Sequence, residues 1–343
     1  MSPPHAPPST ARLARCARGL GPIATMELRH VGALARGQTP TTLRQRSHDL
    51  LFLPAARSTA TTRECRTLEE SFACPGFGRF KVSAAQLDRV AAACGRERPI
   101  RIATTVEGKR FDRRDFGRFV GRELAARGVK VTERGGPRLL VFAVDDAFYF
   151  GLRDGVWSDA SGRKAAGDRE AAAPPDVAAA MAFLLKPEAG ERVADLCCGT
   201  GTLLAEFRAY APDAALHGRD IDRAALTIAR RRFKGAAHVD LKIGDGTATD
   251  VAPGGVTAFV INPPFGAQMG DSAANPALYT GLIAEMRRLG ASDGWRAAIL
   301  TGDLPALDAA LLAHRGGVVE QRRVALQLRG LDAVIAVLAG GVF

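Results

Sequence analysis

No apolar run in this 343-residue chain is long enough to cross a bilayer as a helix. The longest, Ala333 to Phe343, is about half of such a span, so a soluble chain with no membrane partner is expected. Cysteines are few. The six present include one close pair, Cys197–Cys198, and no spacing that suits a disulfide framework or a zinc site. A reducing, cytoplasmic compartment is the expectation. The six histidines are scattered without ligand spacing, so no metal is expected. Internal repeats are missing as well. Net charge is concentrated at one end: residues 1–160 carry +11 and residues 161–343 about 0, which together make the chain's +11. A basic block joined to a neutral one predicts two tasks, with the first block meeting a polyanion.

Hydrophobic residues make up 47% and charged residues 24%, an ordinary globular balance with core material for two or three domains. Residues 1–10 are rich in Pro and Ser and predict a disordered tail. The start reads as a mature N-terminus in preference to a targeting signal. A strand over Arg12 to Leu20 leads to a turn at Gly21-Pro22 and a helix, Ile23 to Leu34, that offers Met26, Val31 and Leu34 to a core. Thr59 to Arg66 reads as a loop. From about Phe77 the pattern becomes α+β. Phe80 and Val82 alternate in a strand, Ser83 with Gln86 spells a capping box, and Gly95 stops the helix. After a strand at Ile100 to Thr105, Asp112 and Gly128 bracket a helix over Arg113 to Arg127. Its spacing puts Phe116, Phe119, Val120 and Leu124 on one face and Arg114, Arg118 and Arg122 on the other. Leu139–Val144 and Phe148–Leu152 flank Asp145-Asp146 as a hairpin.

Ser161 to Pro175 has the composition of a linker. Beyond it, strands expected at Arg192–Cys197, Ala215–Ile221, Val239–Ile243, Ala258–Asn262 and Arg296–Thr301 alternate with helices. Those helices are expected at about Thr202–Ala211, Arg223–Phe233, Pro276–Leu289 and Leu304–His314. Such alternation predicts a parallel, doubly wound α/β sheet. Val318–Leu328 and Ala333–Leu338, joined at Arg329-Gly330, add an antiparallel hairpin.

The first of these strands runs Val193-Ala194-Asp195-Leu196-Cys197-Cys198 into the turn Gly199-Thr200-Gly201-Thr202. Its glycines let the backbone approach a ligand at the carboxyl end of the strand, where open α/β sheets bind. The pyrophosphate pattern G-x-G-x-x-G fails, because position 204 is Leu. An acid ahead of the loop suits a ligand bearing an ammonium group. Asp220, about 20 residues past the loop and followed by Ile221, stands where a ribose diol is held in nucleoside-binding sheets. Asp245, between Gly244 and Gly246, can accept from an adenine amine. The fourth strand ends Asn262-Pro263-Pro264-Phe265-Gly266. Two prolines there end ladder pairing and stiffen the turn. The Asn262 side-chain oxygen and the Pro263 carbonyl then form two acceptors for the protons of a planar amine, and Phe265 offers a stacking face.

In that order, Asp195, Gly199-Thr200-Gly201, Asp220, Asp245 and Asn262-Pro263-Pro264-Phe265 resemble class I S-adenosylmethionine-dependent methyltransferases acting on amino nitrogens. The whole chain resembles the THUMP-containing RNA guanine-N2 methyltransferases. Cys16-Ala17-Arg18-Gly19-Leu20 with Met26-Glu27-Leu28 is similar to that family's opening segment, Phe77 to Asp154 to its THUMP domain, and Cys198 to Thr202 to its cofactor loop. After the tail at 1–10, the resemblance implies a ferredoxin-like unit at 11–70 and a THUMP-like RNA-binding domain at 71–160. A linker at 161–175 and a Rossmann-like methyltransferase domain at 176–343 would follow. It implies S-adenosylmethionine as cofactor, held by Asp195, Cys197, Cys198, Gly199, Thr200, Gly201, Thr202, Asp220, Ile221, Asp245, Gly246 and Asn262. Asn262, Pro263, Pro264 and Phe265 would carry catalysis, and Lys81, Lys109, Arg110, Arg114, Arg118 and Arg122 would bind RNA. The implied product is an N2-methylguanosine, in tRNA or, second, in rRNA, made by a monomer. An adenine or a protein glutamine suits the same amine device, and a non-catalytic RNA-binding factor that keeps the cofactor pocket is a rival of another class. Three departures stand out: Leu196 where the family often has Pro, Gln268 where it more often has Arg, and no Asn near the end of the helix after Asp220.

Overall fold

The computed structural model describes residues 12–35, 37–45, 48–53, 65–79, 81–107, 112–144, 147–152, 163, 172–265 and 275–341. The chain divides into two compact units, Met1–Asp159 and Ala160–Phe343. The tail at 1–10, most of the loop at Thr59–Arg66 and of the linker at Ser161–Pro175, Asp145-Asp146, Gly266 and Gln268 lie outside the described residues.

The first unit contains β1 (Arg12–Ala17), α1 (Gly21–His30), β2 (Thr41–Arg44), β3 (His48–Leu53), β4 (Glu70–Arg79) and α2 (Ala84–Cys94). It continues with β5 (Ile100–Glu107), α3 (Arg113–Ala125), β6 (Val131–Thr132), β7 (Arg138–Val144) and β8 (Ala147–Leu152). All eight strands join one sheet in the order β2-β3-β1-β4-β8-β7-β5-β6. β4 opens at Glu70 and pairs with β1 on one side and β8 on the other, so the sheet continues through the expected boundary at 70/71. The unbroken apolar run of β7 has a direct cause, because both of its faces are covered. Leu139 and Val141 pack with Val90, Phe116 and Val120, while Leu140 and Phe142 pack with Leu13, Phe72 and Tyr149.

Several local expectations are corrected here. Gly21-Pro22 is no turn but the first two residues of α1, where proline's missing N–H costs nothing and its φ suits the helix. That helix stops at His30; Leu34 is buried all the same, whereas Met26 is 42% exposed and outside the core. Val82 lies in no strand. The backbone is already extended into the cap at Ser83, whose capping box with Gln86 is complete. The strand lies earlier, as β4, where a register shift between Ala73 and Gly76 absorbs Pro75, the residue that hides the strand in sequence. β2 and β3 were also unforeseen, the first for its shortness and the second for its lack of alternation.

The second unit opens with α4 (Pro175–Leu184), followed by β9 (Arg192–Asp195), α5 (Thr202–Tyr210), β10 (Ala215–Asp220), α6 (Arg223–Arg232) and β11 (Val239–Ile243). Then come β12 (Ala258–Ile261), α7 (Asn275–Leu289), β13 (Trp295–Thr301), α8 (Leu304–Ala313), β14 (Val318–Leu328) and β15 (Leu331–Gly340). The sheet order is β11-β10-β9-β12-β13-β15-β14, with β15 alone reversed, antiparallel to both of its neighbours, β13 and β14. Strand order reverses between β9 and β12, the switch point at which such sheets bind ligands. This is the expected Rossmann-like, doubly wound sheet with its antiparallel hairpin. Arg329 (φ 51°) and Gly330 (φ 85°) turn that hairpin in the left-handed region that two-residue loops require. α4 escapes sequence reading because it is Ala-rich and buried nearly all round, so it has no polar face to give it a period.

Candidate functional site

Three strands end earlier than sequence predicts: β9 at Asp195, β10 at Asp220 and β12 at Ile261. Asp195 supplies the reason at β9. Its Oδ1 accepts from the Cys197 N–H at 3.1 Å, folding Leu196-Cys197 out of the ladder into a turn. The residues beyond each strand end are thereby released to face a ligand.

Around the switch point these ends enclose a pocket of ≈ 500 Å³. Most of the residues expected to hold a cofactor line it: Asp195, Cys197, Cys198, Gly199, Thr200, Thr202, Asp220, Ile221, Asp245, Gly246 and Asn262. Pro264 lines it as well. Gly201, Pro263 and Phe265 do not. Gly201 caps α5 at φ 77°, and a Cβ there would meet the Phe233 ring at 2.8 Å, so its glycine serves helix packing. Pro263 is buried behind the wall, and Phe265 is half-buried beside Gly302. Sequence reasoning missed Ala172, Ala173, Leu196, Leu203, Asp222, Ala225 and Leu278 in the lining. Of these, only Asp222 carried a signal, as the cap of α6: its Oδ1 accepts from the Ala224 and Ala225 N–H groups.

The acids differ in state. Asp195 is fully buried, and its Oδ2 accepts no hydrogen bond from the described residues. Burial pushes its carboxyl well above the ordinary range, the Cys197 N–H opposing and the Asp220 charge adding. Asp220 holds the loop: Oδ2 accepts from the Gly199 N–H at 2.7 Å and Oδ1 from the Asp222 N–H at 2.8 Å. Asp245 is exposed, and hydrogen bonds from the Thr247 N–H and hydroxyl hold its carboxyl below the usual range. Burial, with the Asp195 charge, pushes both the Cys197 and Cys198 thiols up, which keeps them protonated and unreactive. Among the described residues, no group of three or more His, Cys, Asp or Glu could hold a metal ion, and no helix is long and apolar enough to cross a membrane.

In the first unit, an open groove lies between α3 and β5. Arg114 and Arg118 line it, as do Arg101, Arg113 and Arg138, which sequence reasoning missed. For Arg101 and Arg138 the signal was a charge near the start of an apolar strand, and register sets them opposite each other in β5 and β7; Arg113 opens α3. Gly117 and Gly121 form the helical wall; a Cβ at Gly117 would stand 2.6 Å from the Thr104 hydroxyl, so only glycine lets α3 lie this close to β5. Arg122 and Lys81 are exposed but outside the groove, and Lys109 and Arg110 lie outside the described residues.

Residues 164–330 match the family described as UPF0020, RMKL-like, methyltransferase domain. No curated protein matches the sequence. Among solved structures, TrmN from Thermus thermophilus aligns with a TM-score of 0.75 at 20% identity, over 96% of this chain and 99% of its own. A predicted N6-adenine-specific DNA methylase from Listeria monocytogenes aligns at 0.67 and 14%, over 95% of each chain. SMU.472, solved in complex with SAH, aligns at 0.66 and 15%, over 96% of this chain and 97% of its own. At these identities the structures establish a shared fold, and the family match establishes the chemistry. The protein is an S-adenosylmethionine-dependent methyltransferase, its residues 164–330 similar to the RMKL-like methyltransferase domain and its acid-bearing strand ends gathered around one pocket.

Proposed function

We propose that the protein methylates the exocyclic N2 amine of a guanosine in structured RNA, with tRNA the favoured substrate and rRNA the second. The observation that carries this reading is the position of Asn262-Pro263-Pro264-Phe265. The run leaves β12 at the switch point, with Asn262 and Pro264 in the wall of the pocket whose other walls bear Asp195, Asp220 and Asp245.

The pocket suits S-adenosylmethionine on three counts. The buried Asp195 Oδ2 accepts from no described residue and is matched to an ammonium. Ile221 is 80% exposed on the lining and offers apolar surface to a base. At Gly199, nothing stands within 4 Å of where a Cβ would be. When bound, the cofactor supplies an electrophilic methyl group. The chain's residues then hold the acceptor. Asn262 Oδ1 and the Pro263 carbonyl accept hydrogen bonds from the two amine N–H groups, which turns the nitrogen lone pair toward the donor; one of those protons leaves once the nitrogen carries the methyl. No strong base is required, because the amine becomes acidic only as its nitrogen gains the methyl. Positioning therefore supplies most of the acceleration. A guanine within a stem must leave the stack to reach Phe265.

The basic first unit binds phosphates over an extended surface, by charge and shape more than by base sequence. Residues 11–70 and 71–160 serve as its ferredoxin-like and THUMP-like parts, and the chain acts as a monomer. The α3 arginines and the groove they border support this assignment. Labelled-methyl transfer into separated total tRNA and rRNA, followed by nucleoside analysis, tests the reading. N2-methylguanosine in the tRNA fraction is the expected product. Methyladenosine would overturn the substrate assignment, and cofactor binding with no transfer into either RNA would favour the non-catalytic rival.

A further inference from the structure

Phe265 carries the target base in the reading above, yet it lies outside the cofactor pocket, and its neighbour comes from beyond the end of another strand. β12 and β13 run parallel with Ile261 opposite Ile299, so their carboxyl ends lie side by side, with Gly302 just past the end of β13. A Cβ added at Gly302 would stand 3.0 Å from Phe265 Cδ2, 3.2 Å from Cε2 and 3.1 Å from the carbonyl oxygen of Asp332. Such contacts leave no room for a methyl group unless one neighbour yields.

The backbone neighbours are held. Asp332 belongs to β15, which pairs with β13 from Thr301↔Val334 to Trp295↔Gly340. Thr301 is buried; its hydroxyl lies 2.5 Å from that of Tyr279 and accepts from the Asp303 N–H at 2.8 Å. Asp303 in turn accepts from the Ala306 N–H that opens α8 and from the side chain of Asn275 that opens α7. With strand, hairpin and two helix starts fixed around Gly302, only the half-buried Phe265 ring is free to give way.

We infer that Gly302 is a positioning residue for methyl transfer: its missing side chain is the seat of the Phe265 ring, and the C-terminal hairpin backs that seat through the Asp332 carbonyl. The inference rests on the base-stacking role of Phe265. It assigns to the hairpin a part in the site that neither β14 nor β15 shows through the pocket lining.

Gly302→Ala and Gly302→Val test it, assayed with S-adenosylmethionine and bulk tRNA. A displacement of about 1 Å in a positioned group can slow a reaction on the order of 10²-fold. Ala should therefore lower the rate at saturating RNA several-fold to about 10-fold, and Val about 10²-fold. Cofactor affinity by calorimetry should stay at the wild-type value. In a Phe265→Ala background neither substitution should slow transfer further, because the ring they displace is gone. Wild-type rates in both Gly302 variants, or undiminished losses in the Phe265→Ala background, would overturn the inference. A wild-type rate in Phe265→Ala itself would instead overturn the stacking role. A crystal structure of Gly302→Ala gives a readout independent of activity: the ring should shift while the Asp332 carbonyl stays, and an unmoved ring would also end the proposal.

Discussion

Asn262 leaves the ladder one residue after β12 ends, which makes its side chain part of the pocket wall and not of the sheet. Asn262→Ala removes a directional acceptor while leaving the acids of the pocket in place. The rate of methyl transfer should fall by about 10²-fold or more, with RNA affinity nearly unchanged, since the interaction matters most as the new bond forms. Single-turnover kinetics beside an RNA-binding titration separates the two effects. Asp195 invites a test of opposite sign. Its folded carboxyl titrates above its unfolded one because burial penalises the charge, so its ionisation costs stability as pH rises. Asp195→Asn keeps an acceptor for the Cys197 N–H but removes that cost. Without cofactor, melts between pH 5 and pH 8 should place the variant above wild type, by a margin that grows until the pH passes the titration of the folded carboxyl, and the variant should bind S-adenosylmethionine more weakly. Thermal melts across that range, with calorimetry at pH 7.5, check both halves. Much of this site is legible in sequence, because acids, glycines and Asn-Pro-Pro-Phe each declare their chemistry at a strand end. The buried state of Asp195, the exposed state of Asp245 and the contact of Phe265 with Gly302 are not legible, since each depends on what another strand brings alongside.

At the level of elements, β10 and β11 are tied by one buried guanidinium. Arg219 is 2% exposed and donates to Asp250 at 2.6 Å, to Asp240 at 2.7 Å and to the Gly218 carbonyl at 2.9 Å. It directly precedes Asp220, so it steadies the strand end that holds the cofactor loop. Both partner carboxylates face water and can rehydrate. Arg219→Leu should therefore lower the unfolding free energy by about 2 kcal/mol, in the range for hydrogen bonds to charged groups, and not by the larger cost of stranding a buried charge. Denaturant unfolding measures this. The same cluster predicts a response to acid. Hydrogen bonds from Lys242 and Arg219 hold the Asp250 carboxyl at about 2, below its ordinary 3.8. A carboxyl depressed on folding stabilises the fold above its unfolded pKa, and that contribution is lost as pH falls from about 4 toward 2. Asp250→Asn should flatten this part of the acid limb in melts from pH 6 to pH 2. α3 shows how far periodicity reaches. Its buried and exposed faces are those the spacing predicts, but the groove beside it needed Gly117 against Thr104 and a register that aligns Arg101 with Arg138.

For the whole molecule, the charge partition and the division into Met1–Asp159 and Ala160–Phe343 fall at the same place. A fragment spanning residues 160–343 should fold and bind S-adenosylmethionine, yet bind tRNA weakly and with a shallower dependence on salt than the full chain. Binding isotherms from 50 to 200 mM salt decide it. Tight binding by the fragment would show that the basic unit is not the source of RNA affinity. What the amino-acid sequence determined alone is whatever depends on residue type and short-range spacing. The alternation of strand and helix beyond residue 190, the caps at Ser83 and Asp112, the order of acids and glycines, and the Asn-Pro-Pro-Phe run all answer to local rules of period, capping and backbone freedom. Only tertiary structure decided that eight strands on both sides of residue 70 join one sheet, that an Ala-rich segment is the buried helix α4, and that a glycine after β13 lies under the Phe265 ring. Each of those brings together residues far apart in the chain, and partners across a sheet are selected by burial and register, which leave no mark on any short stretch of sequence.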